Sequence, residues 1–169
     1  TALEIQELGR QCTVLEADVF SRESSLQLVA DAIAWKSQID ILVSNPALTH
    51  HADFLEFDID RFEQIIQSTL ISGFVMSQQI AKQMVKQQTG GKIIFISSVH
   101  AEMPVARSIA YEEYIQEQAG KLPLGRLGTP DDIGSTVAFL ASSSADYITG
   151  AILRVDGGFV HKHCRAEKS

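Results

Sequence analysis

The chain has 169 residues, 45% of them apolar and 21% charged, which suits one ordinary globular domain and excludes a disordered, collagen-like or fibrous protein. Lys and Arg number 14 against 21 Asp and Glu, a formal charge of −7, so phosphate backbones and anionic lipid exert no long-range attraction on it. The longest apolar runs, such as residues 93–96, are far too short to span a bilayer, and two cysteines, Cys12 and Cys164, with no CxxC spacing make neither a disulfide scaffold nor a four-cysteine zinc site. These features predict a cytoplasmic protein whose partners are neither nucleic acid nor membrane.

The chain opens at Thr1 already in helical pattern, with no basic start or apolar stretch of a signal peptide, as a fold entered partway through would. Ala2, Leu3, Ile5 and Leu8 predict a helical segment closed by a left-handed Gly9. Residues 12–19 (CTVLEADV) read as a short strand. Ser21 is placed to cap a helix reaching Lys36, with Leu26, Val29, Ala30 and Ile33 on its apolar face. Residues 39–44 (IDILVS) are apolar in succession, as in a parallel strand covered on both sides. A helix is predicted from about Asp60 to Gln88, its stripe formed by Ile66, Leu70, Phe74, Ser77, Ile80 and Met84.

Gly90 and Gly91 end that helix, and residues 92–97 (KIIFIS) read as a second buried-type strand. After an irregular glycine-rich stretch, Thr129-Pro130-Asp131-Asp132 is a strong helix start, with Ile133, Val137 and Leu140 predicted on the buried face. Residues 151–155 form a last expected strand before the Asp156-Gly157-Gly158 turn. Residues 1–160 thus make one domain, and 161–169 a polar tail.

Strands alternating with helices define an α/β fold with a parallel sheet and right-handed crossovers. Ligands of such sheets sit at the carboxyl ends of the strands. Asp18, Ser44, Asn45, Ser97 and Ser98 fall there, polar where each strand leaves the core. Each also has a plainer reading. The serines suit strand-end caps, Asp18 an ordinary turn, Asn45 a tie between loops, and Tyr111 a packed aromatic. His161, His163 and Cys164 lack a fourth ligand for zinc.

Five segments in order resemble the short-chain dehydrogenase/reductases: ADV at 17–19, DILVSNPA at 40–47, IIFISS at 93–98, PLGRLGTPDDIG at 123–134 and YITGAILRVDGG at 147–158. Tyr111 lies 13 residues after Ser98, the interval usual in that family. The resemblance implies a Rossmann-type doubly wound parallel sheet in three α/β/α layers. It implies NAD or NADP as cofactor, a small-molecule alcohol or ketone as substrate, and a homodimer or homotetramer. It further implies that Ser98 and Tyr111 are catalytic, and that Asp18, Val19 and Asn45 line the cofactor cleft.

The chain departs from the pattern in telling places. The family places a Lys four residues after its Tyr, and Ile115 stands there; no Y-x-x-x-K occurs anywhere. The family's N-terminal Gly-x-x-x-Gly-x-Gly loop has no counterpart, and Thr69 takes the place of an Asn on the long helix. Ser44, Pro46 and Ala47 also differ from the usual strand-four residues. Counterparts of the family's strands three, four, five and seven are present, whereas one, two and six are not. Interior strands cannot simply be dropped, because each unpaired buried backbone group costs roughly 1–3 kcal/mol against a total stability of about 5–15.

An omission between Tyr111 and Glu112 is therefore expected. Two alternatives stand beside the dehydrogenase reading. One is an inactive remnant kept as an oligomerisation or scaffold module. The other is a relative of the halohydrin dehalogenases, which carry Arg in place of the Lys and use no nicotinamide.

Overall fold

The computed structural model describes residues 1–50, 52–98, 119–120 and 122–160. The chain divides into two compact units, Thr1–Ile93 and Ile94–Ser169. In the first, helix α1 (Ala2–Glu7) buries nothing and ends as expected on Gly9, whose φ of +73° suits a residue without Cβ. The strand expected over 12–19 does not form. Among the described residues no neighbouring strand offers it backbone partners, and Val14 is 77% exposed.

Helix α2 (Arg22–Lys36) starts where its cap predicts, with Ser21 Oγ accepting a hydrogen bond from the Ser24 N–H. Its inward face keeps Val29 and Ile33 of the four residues expected there and differs at the other two. Ser25 and Val29 are buried with Leu28 and Ile33 against the core, while Leu26 and Ala30 are exposed. Strand β1 (Ile41–Ser44) follows, paired in parallel with β2 (Lys92–Phe95). Gln87 closes the entry to β1. Its Nε2 donates to the Ile39 carbonyl at 2.7 Å and its Oε1 accepts from the Ile39 N–H at 3.1 Å, replacing the bonds of a neighbouring strand.

The long helix between the strands is three pieces: α3 (Ile59–Ile66), a π-turn (Gln67–Ile71) and α4 (Ser72–Gln87). Ser68 Oγ donates to the Ile65 carbonyl and Ser72 Oγ to the Ser68 carbonyl across the irregular turn. One wider turn rotates all that follows relative to an uninterrupted 3.6-residue helix. The predicted stripe is split accordingly. Ile80 and Met84 are buried beside Ser72, Gly73, Val75 and Met76, but Leu70 and Phe74 are 64% and 63% exposed. Val29, Met76, Ile80 and Met84 form the core of this unit.

The two strands are covered unequally. Leu42 packs on the core, whereas Ile41, Val43, Ile93 and Phe95 are each more than a third exposed. One face of a sheet with apolar residues on both sides therefore lies uncovered among the described residues. None of these helices is long and apolar enough to cross a membrane.

In the second unit, helix α5 (Pro130–Ala141) begins at Thr129, where a capping box joins the Thr129 and Asp132 side chains to each other's backbone N–H groups. Its expected buried face is only half-buried at Val137 and Leu140, and Ile133 remains 37% exposed. The strand expected over 151–155 is absent, for want of a neighbour among the described residues. The Asp156 turn instead docks on the 122–126 loop, with the Leu124 N–H donating to the Gly157 carbonyl at 3.2 Å. The 161–169 tail, and residues 116–118 and 121 of the glycine-rich stretch over 116–128, lie outside the described residues.

Candidate active site

In the first unit, Asp18 is held by three short-range bonds. Its N–H donates to Ser24 Oγ at 2.8 Å, its Oδ1 accepts from the Phe20 N–H at 2.8 Å, and its carbonyl accepts from the Ser21 N–H at 3.1 Å. Sequence order puts Val19 beside it, half-buried, with no partner for its N–H among the described residues. A carboxylate acceptor and a backbone N–H donor thus lie on adjacent residues.

Asn45 is exposed and follows β1 directly, as expected for a residue at a strand's carboxyl end. Ser44, just before it, is 3% exposed, and its Oγ has no hydrogen-bond partner among the described residues. Thr69 sits exposed within the π-turn, an irregularity that often marks functional positions in helices. The sequence pattern alone, continuous and helical, hid this turn. His50 in the loop after β1 stacks edge-on against Phe57, with ring centroids 5.4 Å apart.

In the second unit, Ser98 is exposed and three residues beyond the end of β2. Tyr111 and the junction with Glu112 lie outside the described residues. Among the described residues no group of three His, Cys, Asp or Glu side chains is arranged to hold a metal ion.

The family model for short chain dehydrogenases matches residues 1–112, and that described as enoyl-(acyl carrier protein) reductase matches 104–160. The chain belongs to the short-chain dehydrogenase family. It is a nicotinamide-dependent oxidoreductase with the family's Rossmann fold.

Among its relatives is an L-rhamnose 1-dehydrogenase (NAD(P)(+)) from a Sphingomonas species, 29% identical over 199 residues, covering 92% of this chain and 78% of that protein. A 2-dehydro-3-deoxy-D-gluconate 5-dehydrogenase from Dickeya dadantii is 28% identical over 204 residues, covering 95% and 81%. A putative oxidoreductase from Escherichia coli superposes with a TM-score of 0.82 at 30% identity, covering 94% of this chain and 80% of that one.

Proposed function

We propose that Ser98 and Tyr111 carry the reaction and that Asp18, Val19 and Asn45 hold the cofactor. When bound, the nicotinamide supplies or accepts the hydride. A carbonyl gaining hydride builds negative charge on its oxygen; the Ser98 hydroxyl steadies that charge and the Tyr111 hydroxyl protonates it. In the reverse direction Tyr111 takes the alcohol proton. Asp18 and Val19 bind the adenine end, which offers an amino donor beside a ring-nitrogen acceptor. The fixed Asp18 carboxylate beside an available Val19 N–H is the observation that carries this half of the reading.

A tyrosine hydroxyl with its ordinary pKa near ~10 transfers protons poorly at neutral pH and needs a neighbouring cation. Ile115 cannot supply one. The alignment with the Sphingomonas relative runs over 199 positions but uses 92% of 169 residues, about 155, which leaves about 44 positions without a counterpart in this chain. The first family match ends at residue 112. We infer that this segment belongs between Tyr111 and Glu112 and carries the cation that Tyr111 requires. The uncovered face at Ile41, Val43, Ile93 and Phe95 fits the same reading, because a sheet apolar on both sides is covered by helices on both.

The substrate is proposed to be a sugar-derived alcohol or ketone, by likeness to the two relatives named above, and the cofactor either NAD or NADP. Phe62, Leu70, Phe74 and Val85 are exposed along α3, the π-turn and α4, and support assembly of the chain into a homodimer or homotetramer. The cysteine usage supports a cytoplasmic location.

Tyr111→Phe in the protein that includes the intervening segment tests the central assignment. Nicotinamide-dependent turnover is expected to fall at least about a thousandfold, while cofactor binding changes less than about twofold. Undiminished turnover defeats the assignment.

A further inference from the structure

We propose that Ser24 is a positioning residue for the adenine end of the cofactor, acting through Asp18; the proposal rests on the assignment of Asp18 made above. Residues 10–20 form neither helix nor strand, so no backbone ladder fixes the direction of the Asp18 carboxylate. The bond from the Asp18 N–H to Ser24 Oγ, at 2.8 Å, reaches six residues forward from this segment to helix α2. The other two bonds, to Phe20 and Ser21, join Asp18 only to its near neighbours.

Ser24 is itself well anchored. Its N–H donates to Ser21 Oγ at 3.1 Å, and in the same turn Ser25 Oγ donates to the Ser21 carbonyl at 3.0 Å with Ser25 1% exposed. One turn further along α2, Val29 packs into the core with Met76 and Ile80. Ser24 Oγ is thus an acceptor mounted on a core-packed helix. It does not cap that helix, because Ser21 already does so. Its hydroxyl accepts from Asp18 instead, and the Phe20 N–H engages Asp18 Oδ1, leaving Oδ2 without a partner among the described residues.

A carboxylate fixed before the ligand arrives loses less side-chain freedom on binding, and affinity rises by that difference. The gain applies to the adenine half of the cofactor alone. Losing one such hydrogen bond is expected to weaken that half by about three- to tenfold.

Titration calorimetry on the protein that includes the intervening segment tests this with ADP-ribose and nicotinamide mononucleotide as separate probes. Ser24→Ala is expected to raise the Kd for ADP-ribose about three- to tenfold and leave that for the mononucleotide within about twofold. In turnover, KM for the dinucleotide rises while kcat holds. Ser24→Thr, which keeps the hydroxyl, restores ADP-ribose binding.

Ile80→Ala, which loosens the core but removes no bond of Asp18 or Ser24, lowers the melting temperature without a comparable loss of ADP-ribose affinity. On an Asp18→Ala background, Ser24→Ala adds nothing. Equal weakening of both probes, or an equal loss of ADP-ribose affinity in Ile80→Ala, overturns the proposal by showing a merely structural role. Asp18→Ala weakening ADP-ribose while Ser24→Ala does not overturns the role of Ser24 alone. ADP-ribose binding that is absent in the parent protein, or unchanged in Asp18→Ala, overturns the assignment of Asp18 itself.

Discussion

Arg126 grips Asp132 with two parallel hydrogen bonds, Nη1 to Oδ2 at 2.7 Å and Nη2 to Oδ1 at 2.8 Å. The same carboxylate accepts from the Thr129 N–H at 2.7 Å and from Thr129 Oγ1 at 2.9 Å. The loop entering helix α5 and the first turn of the helix are thereby tied through one acidic side chain. Bonds from Arg126 first, and then from the Thr129 backbone and hydroxyl, hold the Asp132 carboxyl far below the ordinary carboxylate range. A carboxyl whose pKa is depressed on folding contributes stability above its unfolded value and loses it as pH falls toward the folded one. That contribution is therefore complete at neutral pH and erodes below about pH 4. Asp132→Asn is expected to lower stability at pH 7 and to flatten the acid limb of the stability curve, measured by denaturant unfolding between pH 2 and 7.

Ile80 tests the core of the first unit. It is 5% exposed and packed with Val29, Met76 and Met84. Ile80→Ala is expected to cost about 2–5 kcal/mol, read as a lower midpoint in urea with an unchanged slope. A loss below about 1 kcal/mol would mean that this cluster is not the centre of packing.

Gly158 is constrained in two independent ways. Its φ is +86°, and a Cβ placed there would lie 2.7 Å from Cγ of Pro123. Gly158→Ala is expected to destabilise the protein by about 1–3 kcal/mol, from the left-handed backbone and the crowding against a rigid ring. Gly134, in α5 with open space where a Cβ would stand, is the matched control. Gly134→Ala is expected to be neutral or stabilising, as alanine is in a helix interior.

The junction after Tyr111 is open to direct measurement. The intact protein is expected to exceed 18.5 kDa, and a tryptic digest is expected to lack the peptide spanning 108–121 that joins Tyr111 to Glu112. Detection of that peptide in the purified protein would remove the case for an intervening segment and favour a short, inactive form.

Signals confined to a few neighbouring residues were legible in the sequence. Ser21 and Thr129 cap the helices they were expected to cap, Gly9 adopts the left-handed turn, and apolar runs mark β1 and β2. The family itself was legible for a similar reason, since ordered motifs such as DILVSNPA need no coordinates to be recognised. Ser24 gave no such signal. A serine one turn inside a helix looks like any polar surface residue until the chain six positions back is seen folding onto its hydroxyl.

Local order in the chain therefore determined where helices start, which segments favour extended backbone, and which family motifs are present, because caps, turns and runs of apolar residues act within a few positions. Tertiary structure alone decided which extended segments become strands and which helix faces turn inward. Residues 12–19 and 151–155 have strand-forming sequences but no neighbouring ladder among the described residues, and a strand exists only through bonds to another. The π-turn at Gln67–Ile71 likewise reset the face of α4, a rotation that an apolar pattern cannot foretell.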